Sequence, residues 1–263
     1  MGSWLEHLFA LGHGAWWGRW ELWQLAAVAT GSVVLLRASG RHTLGPYGVG
    51  VATAAAFALL VGGGAAWAAW ALARRGPPPE IEIAGTGAFV GLAFGFTWAA
   101  RRRGLSAARA LDQLAPAIGP MLAVARVGCF YAGCDFGAPS HAPWAMRYPA
   151  GTAAFARERA QGLVDAGAAW SLSVHPSQIY EIAAGALLAV VAAVPLSRDR
   201  VGRPGARFMH VLVAFAVLRA CTDLARGDLA RGSLGLTSTQ WLALAAVGGA
   251  VAWHASRAAV TPP

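Results

Sequence analysis

The chain has 263 residues, of which 57% are hydrophobic and only 13% are charged, and its mean hydropathy is +0.49. A soluble domain is normally about 25% charged, so the composition excludes an ordinary cytosolic or secreted domain and indicates an integral membrane protein. The net charge of +9 comes from arginine, because the sequence contains no lysine. These arginines stand mainly at the ends of apolar runs, which favours membrane topology and anionic lipid headgroups over nucleic acid as the reason for the charge.

Apolar runs of about 20 residues recur along the whole sequence and predict an all-α protein with about seven transmembrane helices. The predicted spans are approximately residues 22–37, 47–71, 82–100, 115–133, 176–196, 208–225 and 238–255. The sequence shows no internal repeat, so we expect a single transmembrane domain over 1–263. Its start, MGSWLEHLFALGHG, lacks a basic region followed by a long apolar core, and we therefore expect no cleavable signal peptide.

The residues of the first three spans mostly suggest helix packing and anchoring at the membrane interface. A tryptophan-rich stretch precedes the first span, as in an interfacial aromatic belt. Tyr47 opens the second span within GPYG, where an interfacial tyrosine is usually an anchor. The motif GPPPE then predicts a turn, because consecutive prolines cannot continue a helix. The third span is rich in glycine, and small residues allow neighbouring helices to approach closely.

The fourth span contains a charge, Arg126, within the stretch ARVGCFYAGCDFG. An arginine at the centre of an isolated spanning helix costs roughly 2.5–3.5 kcal/mol on insertion scales. Two interpretations remain open: a structural ion pair or snorkelling to the interface, or an anion site that faces the interior of the bundle. The segment before this span, LSAARALDQLAPAI, is partly amphipathic and leads into it.

Residues 134–174 form a long polar insertion, in which APWAMRYPAG predicts a short strand and TAAFARERAQGLVDAGAA an amphipathic helix. Such a piece suits either a surface lid or a segment that lies on the membrane and receives a substrate. Cys129 lies in the fourth span and Cys134 at the start of the insertion, and the pair suits apolar filling, a disulfide or a reactive thiol. Three cysteines without a CxxC or Cys/His pattern predict no metal site.

The fifth span opens with VHPSQIYE. Pro176 suits the first helical turn, and Gln178 and Glu181 share a face beside Tyr180. His175 would lie at the membrane–water boundary, as a structural residue, a general base or a headgroup donor.

The sixth span carries Arg219, Asp223 and Arg226 at i, i+4 and i+7, on one helical face. Three charges on one stripe must face protein, water or a ligand. Asp223 either neutralises the two arginines, or Arg126 and Arg219 together form a fork for a phosphodiester, because guanidinium offers paired donors to phosphate oxygens.

The charges also predict the orientation of the chain. Most arginines outside the spans fall on one side, at positions 101–103, 198, 200, 203 and 207, and positive residues favour the cytoplasm. Arg74 and Arg75 stand on the other side and are outnumbered. We therefore expect the N-terminus outside, the C-terminus in the cytoplasm and the insertion at about 134–174 on the extracytoplasmic side.

Five blocks together resemble the prolipoprotein diacylglyceryl transferase family. They are the Tyr47-Gly48 pair, GTGAFVG, ARVGCFYAGCDFG followed by PW, HPSQIYE, and the Arg-x3-Asp-x2-Arg stripe with the late TSTQW. Each block is weak alone, but their order from about residue 42 to 255 is specific. The resemblance implies an enzyme of the bacterial cytoplasmic (inner) membrane that transfers a diacylglyceryl group from phosphatidylglycerol to the lipobox cysteine of a preprolipoprotein.

The resemblance also implies roles for single residues. Arg126 and Arg219 match the family's essential arginines, Asp223 stands where the family usually has Glu, and Tyr47 matches a functional tyrosine. The catalytic residues expected on this basis are Arg126, Arg219, His175 and Tyr47. The residues expected to bind phosphatidylglycerol are Arg126, Gly128, Gly137, Arg219, Asp223, Arg226, Gln178, Tyr180, Glu181 and Thr86. No cofactor, metal or nucleic acid is expected; the partners would be the lipid, the lipobox peptide and the bilayer.

Four further positions depart from the family pattern. Thr86 occupies the position where the family often has a histidine that is a proposed base, and Ala88 replaces a glycine. Cys129 and Cys134 stand where the family signature has Asn and Glu. A paralogue with another acceptor or without activity, and a lipid-binding or transport protein, therefore remain alternatives. The absence of repeats and of matched broken helices argues against transport.

Overall fold

The computed structural model describes residues 4–73, 83–165, 167–194, 203–227, 229 and 233–258, and the regular secondary structure within them is helical. The α-helices are α1 (Trp4–Gly12), α2 (Trp20–Ser39), α3 (Leu44–Ala73), α4 (Ile83–Arg101), α5 (Ala107–Ala132), α6 (Ala153–Ala160), α7 (Ser177–Ala193), α8 (Ala206–Leu224) and α9 (Ser238–Ala258). Short 3-10 turns at Trp16–Gly18, Arg41–Thr43 and Ser233–Gly235 precede α2, α3 and α9. The predicted all-α class is confirmed for these residues.

Two of the described helices, Trp20–Ser39 and Ala107–Ala132, are long and apolar enough to cross a membrane. Together with the composition, they identify an all-helical membrane protein. Seven helices coincide with the seven predicted spans within a few residues, apart from the start of α5. The turn predicted at GPPPE and the arginines at positions 74, 75, 198 and 200 lie outside the described residues.

Helix α5 begins about eight residues before the predicted fourth span, because the amphipathic segment that precedes the span belongs to the same helix. It continues through Pro116 and Pro120. A proline inside a helix removes one backbone hydrogen bond, but such prolines are tolerated in membrane helices where neighbouring groups satisfy the freed carbonyls.

The polar insertion is less regular than predicted. The expected strand around APWAMRYPAG is reduced to isolated bridges, in which Met146 pairs with Val174 and Pro149 with Trp170. The expected helix is shorter and covers only Ala153–Ala160, where the Thr152 hydroxyl accepts a hydrogen bond from the N–H of Phe155. This cap explains why the helix begins there, since its first N–H groups have no partner within the helix.

The described chain falls into two compact units. The first comprises Met1–Thr30, Ile118–Val191 and Met209–Pro263, and the second Gly31–Ala117 and Ala192–Phe208. The prediction of a single membrane domain is neither supported nor contradicted by this division and stays a prediction.

In the first unit, α1 covers the end of α5 and the insertion. Leu5 and Phe9 of α1 pack with Phe130, Met146 and Tyr148 in one buried cluster. This arrangement was absent from the sequence predictions, because nine residues with one apolar face are too short to stand out as a span.

Two polar contacts reinforce the position of α1. The Glu6 carboxylate accepts hydrogen bonds from the backbone N–H of Arg147 at 2.9 Å and from its Nε at 3.1 Å. A carboxylate that accepts both a backbone and a charged side-chain donor fixes α1 on the insertion.

Helices α5 and α7 approach each other through glycine. A Cβ added at Gly119 would lie 2.5 Å from the backbone nitrogen of Ala189, and one at Gly185 would lie 2.7 Å from that of Ala123. Only glycine allows this backbone separation, which is typical of membrane helix pairs. The close approach places the first turn of α7 beside the last turns of α5.

In the second unit, α3 packs on α4 in the same way, and the Thr53 hydroxyl donates to the Gly91 carbonyl at 2.7 Å. The unit also contains the start of α8, where the Asp112 carboxylate accepts hydrogen bonds from the N–H of Gly205 at 2.6 Å and of Phe208 at 2.9 Å. A negative side chain at a helix N-terminus satisfies otherwise unpaired donors and complements the helix dipole.

Candidate functional site

Six charged side chains of the first unit meet in one arginine–carboxylate cluster, which consists of Arg126, Asp135, Glu181, Arg219, Asp223 and Arg226. Three helices deliver them: α5 carries Arg126, α7 carries Glu181, and α8 carries Arg219 and Asp223. The other two members follow the ends of α5 and α8. The cluster therefore depends on helix packing and on the two loops that leave these helices.

Glu181 is the centre of the cluster, with only 3% of its side chain exposed. Its Oε2 pairs with the Nε of Arg126, and its Oε1 pairs with Nη1 of Arg219 and with Nη1 of Arg226, the latter at 3.4 Å. One buried carboxylate thus orients all three guanidinium groups.

Asp135 closes the cluster on a second side. Its Oδ2 pairs with Nη1 of Arg126, and its Oδ1 pairs with Nη2 of Arg226 at 2.7 Å. Both Arg126 and Arg226 therefore lie between two carboxylates, one from α7 and one from the loop after α5.

Asp223 holds the third arginine. Its Oδ1 lies 3.0 Å from the Nε of Arg219, one helical turn away, while Oδ2 accepts hydrogen bonds from Thr237 at 2.8 Å and from Thr239. The two threonines belong to the TSTQW segment at the start of α9. This segment therefore supports the cluster from behind, through Asp223.

Three arginines and three carboxylates make the cluster formally neutral. Removing charges from water costs several kcal/mol for each ion, and the cost is recovered only when geometry and hydrogen bonding are favourable. The structural interpretation of Arg126, Arg219 and Asp223 is thus supported, because every guanidinium is paired within the protein. An anion that binds the fork must compete with an internal carboxylate.

Accessibility differs sharply across the cluster. The side chains of Asp135 and Arg126 are 26% and 20% exposed, whereas that of Asp223 is fully buried. The cluster is therefore accessible on the side of Arg126 and Asp135, whereas the carboxylates of Glu181 and Asp223 lie on its buried side.

The loop that carries Asp135 is held by polar contacts from α7 and the insertion. The Ser177 hydroxyl donates to the Asp135 carbonyl, and the Gln178 amide donates to the Cys134 carbonyl at 2.6 Å. The buried Tyr148 hydroxyl donates in turn to Gln178 Oε1 at 3.0 Å. Gln178, which the sequence predicted as a lipid ligand, therefore fixes the loop instead of lying among the arginines.

Asp135 itself adopts a positive φ of 56°. This left-handed conformation is uncommon for a residue other than glycine, although aspartate tolerates it better than most. Burial by itself would raise the pKa of the Asp135 carboxyl, but the charges of Arg126 and Arg226 outweigh it and hold that pKa well below its ordinary value. Protonation at physiological pH therefore cannot release Asp135 from the arginines.

His175 and Tyr180 form a second polar group. The Nδ1 of His175 lies 3.0 Å from the Tyr180 hydroxyl, which also accepts a hydrogen bond from the Trp144 indole at 2.6 Å. When Nδ1 carries the proton and donates to Tyr180, Nε2 is left as an acceptor, which is the tautomer that a general base requires.

The remaining predicted residues have other surroundings. Gly128 lies on α5 against α2, where an added Cβ would meet the Cβ of Trp23 at 2.8 Å, so its role is helix packing. Gly137 pairs with Arg226 in a bridge and leaves no room for a side chain beside His175. Tyr47 is buried in α3, in the second unit. Thr86 lies on α4, in a stretch whose side chains are outside the described part of the structure.

The sequence did not predict Asp135, Ser177, Thr237 or Thr239 as part of the site. Asp135 lies within one of the recognised blocks. It could have been identified as a carboxylate that directly follows a helix with a buried arginine. Cys129 and Cys134 are both free thiols, so the disulfide left open by the sequence is not formed in this structure.

The comparisons with known proteins agree on one family. A family profile described as prolipoprotein diacylglyceryl transferase matches residues 80–255. Curated relatives named phosphatidylglycerol–prolipoprotein diacylglyceryl transferase include one from Polynucleobacter asymbioticus, 32% identical over 59% of this chain and 54% of the relative. Another, from Mycobacteroides abscessus, is 29% identical over 66% of this chain and 48% of the relative. The chain therefore spans about half the length of the curated relatives it matches.

Proposed function

The chain belongs to the prolipoprotein diacylglyceryl transferase family. We therefore propose that it transfers a diacylglyceryl group from phosphatidylglycerol to the cysteine thiol of a lipobox peptide, with release of glycerol phosphate. The arginine–carboxylate cluster is the observation that carries the proposal. It brings together three guanidinium groups, the preferred side chains for phosphate, and the side chains of Arg126 and Asp135 are partly exposed.

The chemistry requires one bond to form and one to break. The cysteine sulfur attacks the glycerol carbon that bears the phosphate, the carbon–oxygen bond breaks, and the phosphate leaves with the bonding electrons. Negative charge develops on the leaving oxygen, and fixed guanidinium groups in a poorly solvated site stabilise it. Arg126 and Arg219 are proposed for this role on the family resemblance. Arg226 is proposed as a further phosphate donor, and Glu181 holds all three guanidinium groups in place.

The thiol proton needs an acceptor, since the thiolate is the nucleophile. Among the described residues His175 is our candidate, because Tyr180 and Trp144 orient its ring and leave Nε2 open in one tautomer. Tyr47 and Thr86 remain proposals that rest on the family resemblance, Tyr47 for catalysis and Thr86 for lipid binding.

Asp135 is proposed to occupy the phosphate position when no lipid is bound. It is the most exposed carboxylate of the cluster and lies on a loop, whereas Glu181 and Asp223 are buried on helices. A phosphodiester that displaces it would find the donors of Arg126 and Arg226 already aligned and would keep the cluster neutral. The lipid therefore substitutes one anion for another.

Substitution Asp135→Asn tests this placement. The amide keeps the size of the side chain but removes the competing charge, so we expect phosphatidylglycerol to bind about 10-fold more tightly, a change of about 1.4 kcal/mol. Binding to nanodiscs that contain phosphatidylglycerol, compared with phosphatidylcholine alone, measures the effect. Weaker binding of phosphatidylglycerol would show that Asp135 positions the arginines and does not compete with the lipid.

We also propose seven spans in the bacterial inner membrane, with the N-terminus and the insertion outside and the C-terminus in the cytoplasm. The distribution of arginines supports this orientation. A cysteine introduced by Arg159→Cys, at an exposed position of α6, should react with a membrane-impermeant maleimide in intact spheroplasts, beyond the background of the unmodified protein. Reaction only after lysis would reverse the orientation.

The proposed activity is tested by incubating the purified protein with phosphatidylglycerol vesicles and a synthetic lipobox peptide. We expect the peptide to gain the mass of one diacylglyceryl group, and a peptide with serine in place of its cysteine to gain nothing. Lipid binding without any product would favour the alternatives, a paralogue with another acceptor or a lipid-binding protein.

A further inference from the structure

Helix α5 ends in a Schellman motif whose two contacting side chains are both cysteines. Gly133 has a φ of 69° and its N–H donates to the Phe130 carbonyl at 3.2 Å, while the N–H of Cys134 donates to the Cys129 carbonyl at 3.2 Å. These are the two backbone hydrogen bonds that define the motif, with glycine in the left-handed position. The motif fixes which side chains meet beyond the helix end.

A Schellman motif commonly brings together the side chain two positions after the helix and the one in its last turn, usually as an apolar contact. Here both positions are cysteine, Cys134 and Cys129, and both thiols are free. Their sulfur atoms and a carboxylate oxygen of Asp135 all lie within 4.8 Å of one another. The pair is therefore created by local backbone geometry.

The three groups do not suit a metal ion as well as they suit thiol chemistry. Both carboxylate oxygens of Asp135 are paired with guanidinium groups, and Nη1 of Arg126 donates to the Cys129 sulfur at 3.7 Å. The positive charge of Arg126 beside the Cys129 sulfur disfavours a cation but favours a thiolate at Cys129. The surroundings thus point to a reactive dithiol.

We propose that Cys129 and Cys134 form a redox site, which closes to an intramolecular disulfide and ties the loop that carries Asp135 to the end of α5. The oxidant is a low-molecular-weight or protein disulfide, a class available outside the cytoplasm. The consequence for lipid binding rests on the proposed function, whereas the dithiol itself does not.

The exchange balances in two steps. The Cys129 thiol, whose sulfur accepts from Nη1 of Arg126, loses its proton, and its thiolate attacks the external disulfide, forms a mixed disulfide and expels one thiolate. The Cys134 thiol then loses its proton, and its thiolate attacks the Cys129 sulfur and expels the second thiolate. One disulfide is reduced to two thiols, two protons leave the protein, and the new bond joins Cys129 to Cys134.

Closure would act on the cluster through the next residue in the chain. Asp135 follows Cys134 directly, so a covalent link between Cys134 and α5 restrains the carboxylate against Arg126 and Arg226. In the proposed mechanism the lipid phosphate must displace that carboxylate. The oxidised protein should therefore bind phosphatidylglycerol less well and turn over more slowly.

The test uses the full chain with Cys221→Ser, which removes the exposed third cysteine on α8. After incubation with oxidised glutathione, we expect a mass lower by about 2 Da, no remaining reaction with maleimide, and reversal by dithiothreitol. Hydrogen exchange in peptides that cover residues 133–137 should slow in the oxidised form. Transfer to the lipobox peptide should fall about 5-fold or more.

A protein that also carries Cys134→Ser serves as the matched control, because it retains only Cys129 and cannot close. Persistent maleimide reaction or stable glutathione adducts in the Cys221→Ser protein would overturn the redox site. A disulfide that changes neither hydrogen exchange nor turnover would overturn its coupling to Asp135. If the reduced protein also gives no product, the proposed function is contradicted. The mass and hydrogen-exchange measurements still test whether Cys129 and Cys134 form a disulfide.

Discussion

Substitution Arg126→Ala should abolish diacylglyceryl transfer, with a loss of about 100-fold or more in rate. Arg126 has the most accessible side chain of the three arginines, and it bridges the carboxylates of Glu181 and Asp135. Loss of one fixed donor to a developing anion typically costs about 100- to 1000-fold in rate. The mass gain of a lipobox peptide after incubation with phosphatidylglycerol vesicles measures the effect.

Two further variants make the result interpretable. Arg126→Lys keeps the positive charge and therefore the balance of the cluster. A compact ammonium group lacks the planar fork that bridges the Glu181 carboxylate and a phosphate, so activity should still fall by about 10-fold or more. Arg159→Ala removes an exposed arginine from α6 and should leave the rate unchanged. Folded Arg126→Lys or Arg126→Ala protein that transfers at the wild-type rate would remove Arg126 from the proposed site.

Substitution Glu181→Gln should destabilise the protein and reduce transfer together. The Glu181 carboxylate is buried and pairs with three guanidinium groups, so an amide leaves three positive charges opposed by two negative ones. Removing one partner of a buried ion pair costs about 3–5 kcal/mol. For a chain of this size, that corresponds to a decrease in Tm of about 10 °C.

Thermal unfolding in detergent, followed by tryptophan fluorescence, measures this change. The matched control is Glu21→Gln, because Glu21 pairs with Arg19 on the surface, where both side chains are largely exposed. An exposed ion pair contributes between zero and about 1 kcal/mol, so this variant should unfold close to the wild type. Equal stability of the Glu181 and Glu21 variants would mean that Glu181 does not organise the arginines.

The substitutions Asp135→Asn and Glu181→Gln together separate the roles of these two carboxylates. Asp135→Asn removes an accessible charge and is expected to strengthen lipid binding, whereas Glu181→Gln removes a buried charge and is expected to weaken the whole site. The difference follows from burial, since a buried guanidinium without a partner cannot be solvated by water. Opposite effects of two carboxylates that bind the same arginine would be difficult to explain by charge alone.

The helices and most of the charged site could be predicted from the sequence. Hydrophobic runs of spanning length require no tertiary information, since burial in lipid depends on the local composition. Arg126 and the stripe from Arg219 to Arg226 were evident because charge inside an apolar segment is costly and therefore informative. Glu181 was found through its block, although its central position among three arginines was not.

The features that the sequence predictions missed or misplaced have physical causes. Helix α1 is too short to be recognised as a membrane span. Gln178 shares a helix face with Glu181, but its amide bonds to Tyr148 and to the Cys134 carbonyl and not to the arginines. The strand expected in the insertion lacks a neighbouring strand to complete it and remains a set of bridges. Each of these outcomes depends on residues that are remote in sequence.

The sequence by itself therefore determined an all-helical membrane protein, its family and the arginines of its site, because spanning length, buried charge and ordered motifs are local properties. Only the tertiary structure decided that these arginines are neutralised from within, and that Asp135 is the accessible carboxylate among their partners. Those facts arise where α5, α7 and α8 meet, and the ends of helices and their loops are set by packing. The adjacency of Cys129 and Cys134 lies between the two cases: a glycine after a helix predicts the motif, but the structure alone shows that the thiols meet beside Asp135.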